Sequence, residues 1–139
     1  GLDTLRTGAG YAAARGLADA LDLIEGSSLS LLFDTGRHDA ALDRAGHLAD
    51  RFAAAGNMLE LTEVRAVQTR IHHLRGQPQL TAGWLDWLET TSRDAGRPAD
   101  VLVGFAPAAA AHGALGRPDR AAALLAEVDT TPGARTADE

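Results

Sequence analysis

The sequence contains no cysteine and no lysine, and the absence of cysteine removes a class of chemistry. Without cysteine, disulfides, thiolate metal ligands and thiol nucleophiles are excluded. The 13 basic residues are all arginines spread along 139 residues, and the net charge is −6. Because a protein that binds duplex nucleic acid needs a basic patch to displace counterions from phosphates, we expect no direct nucleic-acid partner.

Long hydrophobic runs are also missing. No apolar stretch approaches the roughly 20 residues that a membrane-spanning helix needs, and no basic-then-apolar leader opens the sequence. The composition, 45% hydrophobic and 23% charged, is typical of a folded protein. We therefore expect a cytoplasmic protein with no membrane contact, made of one domain or a short run of repeats.

Glycine, by contrast, is plentiful and regularly spaced. Six glycines lie 20 residues apart: Gly16, Gly36, Gly56, Gly76, Gly96 and Gly116. Three of them continue as Gly-x-Pro, at 76–78, 96–98 and 116–118. Glycine accepts the left-handed conformation just past a helix end, and proline suits the first turn of the next helix. The pattern predicts a helix end near each of the six, with positive φ at four or more.

Apolar residues between these glycines recur in steps of three and four, which indicates helices; no segment alternates as a strand does. Such stripes are Leu17-Leu21-Ile24-Ser28-Leu31, Leu42-Ala45-Leu48-Ala49-Phe52 and Leu61-Val64-Val67-Ile71-Leu74. Helices are predicted near 17–34, 37–54, 58–75, 78–94, 98–115 and 118–128, with a partial helix at 3–15 and a disordered polar tail at 130–139. Pro107 should kink the fifth of these helices.

Two-residue turns make successive helices antiparallel, so each 40-residue unit is a helical hairpin. The hairpins are predicted at 17–54, 58–94 and 98–128. Since one hairpin cannot bury its apolar face alone, we expect the hairpins to stack into a right-handed α-solenoid. The predicted fold is a single all-α helical-repeat domain over residues 1–129.

The small residues near these turns resemble the Gly…Ala signature of tetratricopeptide repeats: Gly36 precedes Ala40-Ala41, and Gly116 precedes Ala121-Ala122. The 40-residue period is similar to the longer variant found in large bacterial signalling ATPases. Residues 11–57 resemble the C-terminal repeats of actinobacterial proteins that join a nucleotide-cyclase or DNA-binding domain to a signalling ATPase. Where the usual repeat has large aromatics, this chain has Leu32, His72 and His112.

The resemblance implies a non-catalytic interaction or regulatory module within a longer signalling protein. Its partner would be another protein, a peptide or the rest of its own parent chain. No phosphate-binding loop of the Gly-x-x-x-x-Gly-Lys-Ser/Thr type is present, so ATPase activity does not carry over. A small-molecule sensor and an unrecognised helical enzyme remain as alternatives.

Candidate chemical groups do not form a catalytic or metal motif, and no cofactor is expected. His72 and His73 are adjacent, so they diverge by about 100° on a helix and cannot bind one metal ion together. Glu60 and Glu63 share a face near a helix start, where the helix dipole stabilises carboxylates. We expect His72 and His112 to fill space between helices.

Two features could bind a partner. Trp84 and Trp87 share a predicted face with Leu80 and Leu88. The two tryptophans either pack in the core or act as anchors for a partner. The predicted concave wall carries Glu63, Ala66, Arg70 and His73, flanked by Leu23, Gly26, Ser30 and Phe33 on one side and Val103, Ala106, Ala110 and Gly113 on the other.

This wall would suit a peptide, a helix or a small ligand whose acidic group meets Arg70. Self-association is also expected, through an apolar flank in residues 3–24 that includes Leu17, Leu21 and Ile24.

Overall fold

The computed structural model describes residues 2–131, apart from the side chains of residues 2–13, 18, 19, 22 and 23. Within this range the chain is helical, with no strand. The helices are α1 (Leu2–Asp34), α2 (His38–Ala55), α3 (Met58–Leu74), a short 3₁₀ helix (Pro78–Thr81), α4 (Leu85–Ala95), α5 (Pro98–Ala114) and α6 (Pro118–Thr130). The all-α prediction is confirmed. Residues 132–139, which hold most of the predicted tail, lie outside the described residues.

Five of the six phased glycines form the predicted turns, with φ between 69° and 77°. Four of these turns share a second feature: the backbone N–H after the glycine donates to the carbonyl five residues earlier, at 2.8 to 2.9 Å. The pairs are Arg37 with Leu32, Asn57 with Phe52, Gln77 with His72, and Arg117 with His112. This bond and the left-handed glycine together define the Schellman motif, which satisfies carbonyls at a helix end.

Gly16 is the exception, because α1 runs through it without interruption. The predicted boundary between a partial helix at 3–15 and a helix at 17–34 is therefore wrong. Gly16 is followed by Leu17 and Ala18, which are strong helix formers, rather than by proline or a capping residue. One glycine costs a helix only about 1 kcal/mol, and good helix formers on both sides offset that cost.

Gly16→Ala should therefore stabilise the protein, by about 0.5 to 1 kcal/mol. A Cβ at Gly16 would meet no atom within 4 Å. Urea denaturation of the variant measures the change. As a matched control, Gly116→Ala should be destabilising, because Gly116 has a φ of 77°. A loss of stability in Gly16→Ala would contradict a continuous α1.

The fourth predicted helix, 78–94, is also divided. Its first turn is the 3₁₀ helix, in which the Thr81 hydroxyl donates to the Pro78 carbonyl at 2.7 Å, and α4 begins only at Leu85. Gly83, a poor helix former, lies in the break. Leu80 therefore does not share a helix face with Trp84, Trp87 and Leu88, and its side chain is 51% exposed. By contrast, α5 continues through Pro107; the predicted kink stays a prediction.

Each helix packs against the next one along the chain, and α3 also packs against α1 and α5. One buried cluster joins α1, α2 and α3, with Phe52 and Leu48 among its largest members, and another joins α4, α5 and α6 around Phe105 and Leu88. Trp87 packs against both clusters. Burying each such side chain contributes roughly 1.5 to 3 kcal/mol.

The apolar stripe predicted for α1 does not face this core. Leu17, Leu21, Ile24 and Leu31 are 47% to 63% exposed, whereas Leu29 is buried. Periodicity indicates that a helix has an apolar side, but not which neighbouring helix covers it. None of the described helices is long and apolar enough to cross a membrane.

Candidate functional site

A cavity of about 290 Å³ opens between α1 and α3, at residues predicted to form the inner wall. Its lining consists of Gly26, Ser27, Leu29, Ser30, Phe52, Leu59, Glu60, Glu63, Val64 and Val67. The apolar base belongs to the packed core, because Leu29, Phe52 and Val64 are at most 2% exposed. Gly26 contributes no side chain, and a Cβ there would meet nothing within 4 Å. We call this space the α1/α3 cavity.

The ionisable groups of the α1/α3 cavity are both carboxylates, Glu60 and Glu63. Partial desolvation raises the pKa of Glu63 above its ordinary value, the nearby carboxylates of Glu60 and Asp100 raise it further, and the Arg97 guanidinium lowers it. Arg97 pairs with Asp100 at 2.5 Å. In the part of the chain that the structure describes, neither Glu60 nor Glu63 forms an ion pair. The cavity therefore favours a cation.

Arg70 is not part of the lining of this cavity. Its guanidinium carbon is 6.0 Å from the centroid of the Phe33 ring, within reach of a cation–π contact. Phe33 also stacks on His38, with ring centroids 5.4 Å apart. The structure thus brings Arg70 and Phe33 together, and it brings Ser30 and Glu63 together in the cavity. His73 is exposed in the last turn of α3.

Other predicted wall residues differ in exposure. Ala66 is buried, at 3% exposure, so it packs between helices rather than facing a ligand. On α5, Val103, Ala106 and Ala110 are half-buried and Gly113 is exposed. The side chain of Leu23 lies outside the described residues.

Another cavity, of about 400 Å³, lies between α3 and the facing ends of α4 and α5. It is lined by Met58, Leu59, Thr62, Thr91, Asp94, Ala95 and Asp100. Leu59 lines both cavities, so they adjoin. The sequence pattern did not assign Met58 or Leu59 to a site. The sequence contained one signal for them: they are two large apolar residues at the start of α3 that lie outside its regular apolar stripe.

The two tryptophans are engaged within the protein. The Trp84 indole N–H donates to the Thr69 hydroxyl at 2.9 Å, and the Arg65 guanidinium carbon lies 4.7 Å from the Trp84 ring centroid. Trp87 is half-buried against both core clusters. Of the two roles open for this pair, these contacts support core packing.

His112 and His72 also contact other residues of the protein. His112 is fully buried, and its Nε2 lies 3.1 Å from a Glu89 carboxylate oxygen, as expected for a residue that fills space between helices. His72 is half-buried near Trp84, and burial lowers the pKa of its imidazole, as does the charge of Arg75. Among the residues whose side chains the structure describes, no three His, Cys, Asp or Glu side chains are grouped so as to hold a metal ion.

The expected apolar flank is exposed wherever its side chains are described: Leu17, Leu21 and Ile24 are 62%, 47% and 60% exposed. Within the predicted flank, the side chains of residues 3–13, 18, 19, 22 and 23 lie outside the described residues. Self-association through it stays a prediction.

Comparison with protein-family models, with curated proteins and with solved structures finds no match for this chain. Arguments about its function therefore rest on the geometry and charge of the surfaces described above.

Proposed function

We propose that this chain is a non-catalytic interaction module, which binds a protein or peptide partner at the face formed by α1, α3 and α5. The observation that carries the proposal is the α1/α3 cavity: it is open, has a buried apolar base and holds two carboxylates without ion-pair partners among the described residues. Apolar surface with a few unsatisfied charges is typical of a recognition site.

The proposed architecture is a tetratricopeptide-like α-solenoid. Its support is the repeated Schellman turn at Gly36, Gly56, Gly76 and Gly116, together with the contacts of α3 with both α1 and α5. In a stack of hairpins, equivalent helices of successive hairpins pack side by side and form a continuous wall. The proposed setting is a cytoplasmic signalling protein in which this module regulates other domains.

Binding is favoured over catalysis by the position of the titratable groups. The shortest His–carboxylate contact in the described range joins His112 to Glu89, and both side chains are buried away from the cavities. General acid–base catalysis requires such groups within hydrogen-bond reach of a substrate. Glu60 and Glu63 have that access, but neither has a basic partner within the cavity lining.

A small-molecule sensor is the second candidate, and the size of the α1/α3 cavity favours it. About 290 Å³ is at the lower end of the range for ligand pockets. A ligand there would contact two hairpins at once, so it would bias their relative packing if it preferred one arrangement.

Filling the α1/α3 cavity should abolish partner binding without unfolding the chain. Gly26→Phe places a large side chain in the cavity, where a Cβ would meet no atom within 4 Å. Because glycine inside a helix is destabilising, its removal from α1 offsets part of any strain. Peptides that bind the wild-type chain are first selected from a random display library. Their affinities for wild type and for the variant are then measured by fluorescence anisotropy. We expect at least about a tenfold loss of affinity, equivalent to about 1.4 kcal/mol.

Gly46→Phe is the matched control, because Gly46 also lies inside a helix and a Cβ added there would have no atom within 4 Å, but it is outside both cavities. It should leave peptide affinity unchanged. Equal losses in the two variants would contradict the proposed site. A metabolite that raises the melting temperature of wild type but not of Gly26→Phe would instead favour the sensor.

A further inference from the structure

The two adjoining cavities make one surface with mixed character. We define the Leu59 surface by two apolar residues, Met58 and Leu59, and four acidic ones, Glu60, Glu63, Asp94 and Asp100. Met58 and Leu59 are 40% and 38% exposed, which is a large exposure for two adjacent apolar side chains at a helix start. Apolar side chains between two cavities are suitable anchors for an apolar group of a partner.

The charges of the Leu59 surface have one sign. Every ionisable side chain that lines either cavity is a carboxylate. Arg97 neutralises Asp100 in part. Burial is the main cause of the raised pKa of Glu63, and the charges of Glu60 and Asp100 raise it further. These carboxylates therefore repel one another, and an incoming cation would relieve that repulsion.

The backbone of the surface restricts the form of its partner. An extended peptide gains affinity from backbone hydrogen bonds, usually to a strand edge. The cavity linings belong to helices α1 to α5, whose interior backbone groups already bond within each helix, and the linings contain no Asn or Gln side chain to replace a strand edge. A partner helix satisfies its own backbone and needs only side-chain contacts.

We propose, as a consequence that rests on the interaction function above, that the Leu59 surface binds a basic amphipathic helix of a partner protein. Leucine-like side chains of that helix pack against Met58 and Leu59. Its Lys or Arg side chains lie beside Glu60, Glu63 and Asp94. The alternating apolar and acidic character of the surface is thereby matched by one face of a single helix.

Three synthetic helical peptides test the charge of the partner. They share length and a leucine stripe, and their polar positions carry Lys, Gln or Glu. Fluorescence anisotropy at low ionic strength should show the Lys peptide binding about tenfold more tightly than the Gln peptide, with the Glu peptide weakest. The difference should shrink as salt is added, because exposed charges are screened.

A charge-neutralised variant tests the location. The double variant Glu60→Gln with Glu63→Gln should bind the Lys peptide about tenfold more weakly than wild type and bind the Gln peptide with unchanged affinity. Asp34→Asn with Asp50→Asn removes the same charge from exposed positions outside both cavities and should have little effect. The cavity variant should remain folded. Because the pKa of Glu63 is raised in the folded state, its negative charge lowers the stability of wild type at neutral pH, and Glu63→Gln removes that charge.

The outcomes separate the two proposals. Preference for the Gln or Glu peptide, or equal binding of the Lys peptide to both charge variants, overturns the basic-helix inference. If none of the three peptides binds while display-selected peptides still depend on Gly26, the inference fails and the interaction function stands. If selected peptides do not depend on Gly26 either, both fail.

Discussion

Replacing Gly104 with alanine is expected to lower the free energy of unfolding by about 3 kcal/mol, the upper part of the range for overpacking a core. A Cβ added at Gly104 would lie 1.9 Å from the Ser92 hydroxyl oxygen, 2.7 Å from the Ser92 Cβ and 3.4 Å from the Leu88 carbonyl oxygen. Ser92 is fully buried in α4, so α4 and α5 would have to move apart. Urea denaturation with fixed slope measures the loss.

The partner of Gly104 provides a specific rescue. Ser92→Gly removes both close atoms, so the double variant Gly104→Ala with Ser92→Gly should recover much of the lost stability. Ser92→Ala removes only the hydroxyl and leaves the Cβ at 2.7 Å, so its rescue should be smaller. Gly113→Ala, in the same helix with nothing within 4 Å, should not destabilise. Additive effects of Gly104→Ala and Ser92→Gly would rule out the direct clash.

The contrast between Gly104 and the turn glycines shows what sequence can predict. A left-handed glycine after a helix, with proline two residues later, is local chemistry, so the turns at Gly76, Gly96 and Gly116 follow from a few adjacent residues. Gly104 has no local signature. Its role depends on Ser92, which reaches it only when α4 and α5 pack.

The same distinction applies to the helices of the first and second hairpins. Equal spacing of glycines predicted a break at Gly16, but the neighbouring residues favour helix and α1 continues. In the second hairpin, an apolar stripe predicted one helix from 78 to 94, whereas Gly83 separates the 3₁₀ helix from α4. Periodicity over a long window did not register these short-range preferences.

The site was predicted in part. A shift of 40 residues placed Gly26 and Ser30 beside Glu63, and all three line the α1/α3 cavity. The charge of the cavity was not anticipated, because Arg70, the expected recognition residue, lies outside its lining against Phe33. Nor could the sequence reveal that Phe52 of α2 forms the base. Both facts depend on how α1, α2 and α3 pack.

Breaking the buried pair between Glu89 and His112 should produce the second large loss of stability. Glu89 is 7% exposed and His112 fully buried, with Nε2 of the imidazole 3.1 Å from the carboxylate. Arg120 reaches the same carboxylate at 3.5 Å and forms a shorter ion pair, 2.7 Å, with Asp86. His112→Ala should cost about 3 kcal/mol or more, since it leaves a cavity and a carboxylate without its main partner.

Two further variants separate the hydrogen bond from the charge. Glu89→Gln retains an oxygen that can accept from the imidazole Nε2–H, so it should cost less than Glu89→Ala. Glu89→Leu with His112→Leu removes both polar groups and should be less destabilising than the sum of the two single changes, because neither side chain is then left buried and unpaired. Thermal and urea unfolding of the four chains of this cycle give the coupling. Strict additivity would show that the pair contributes no coupling, and that His112 is held in the core by packing alone.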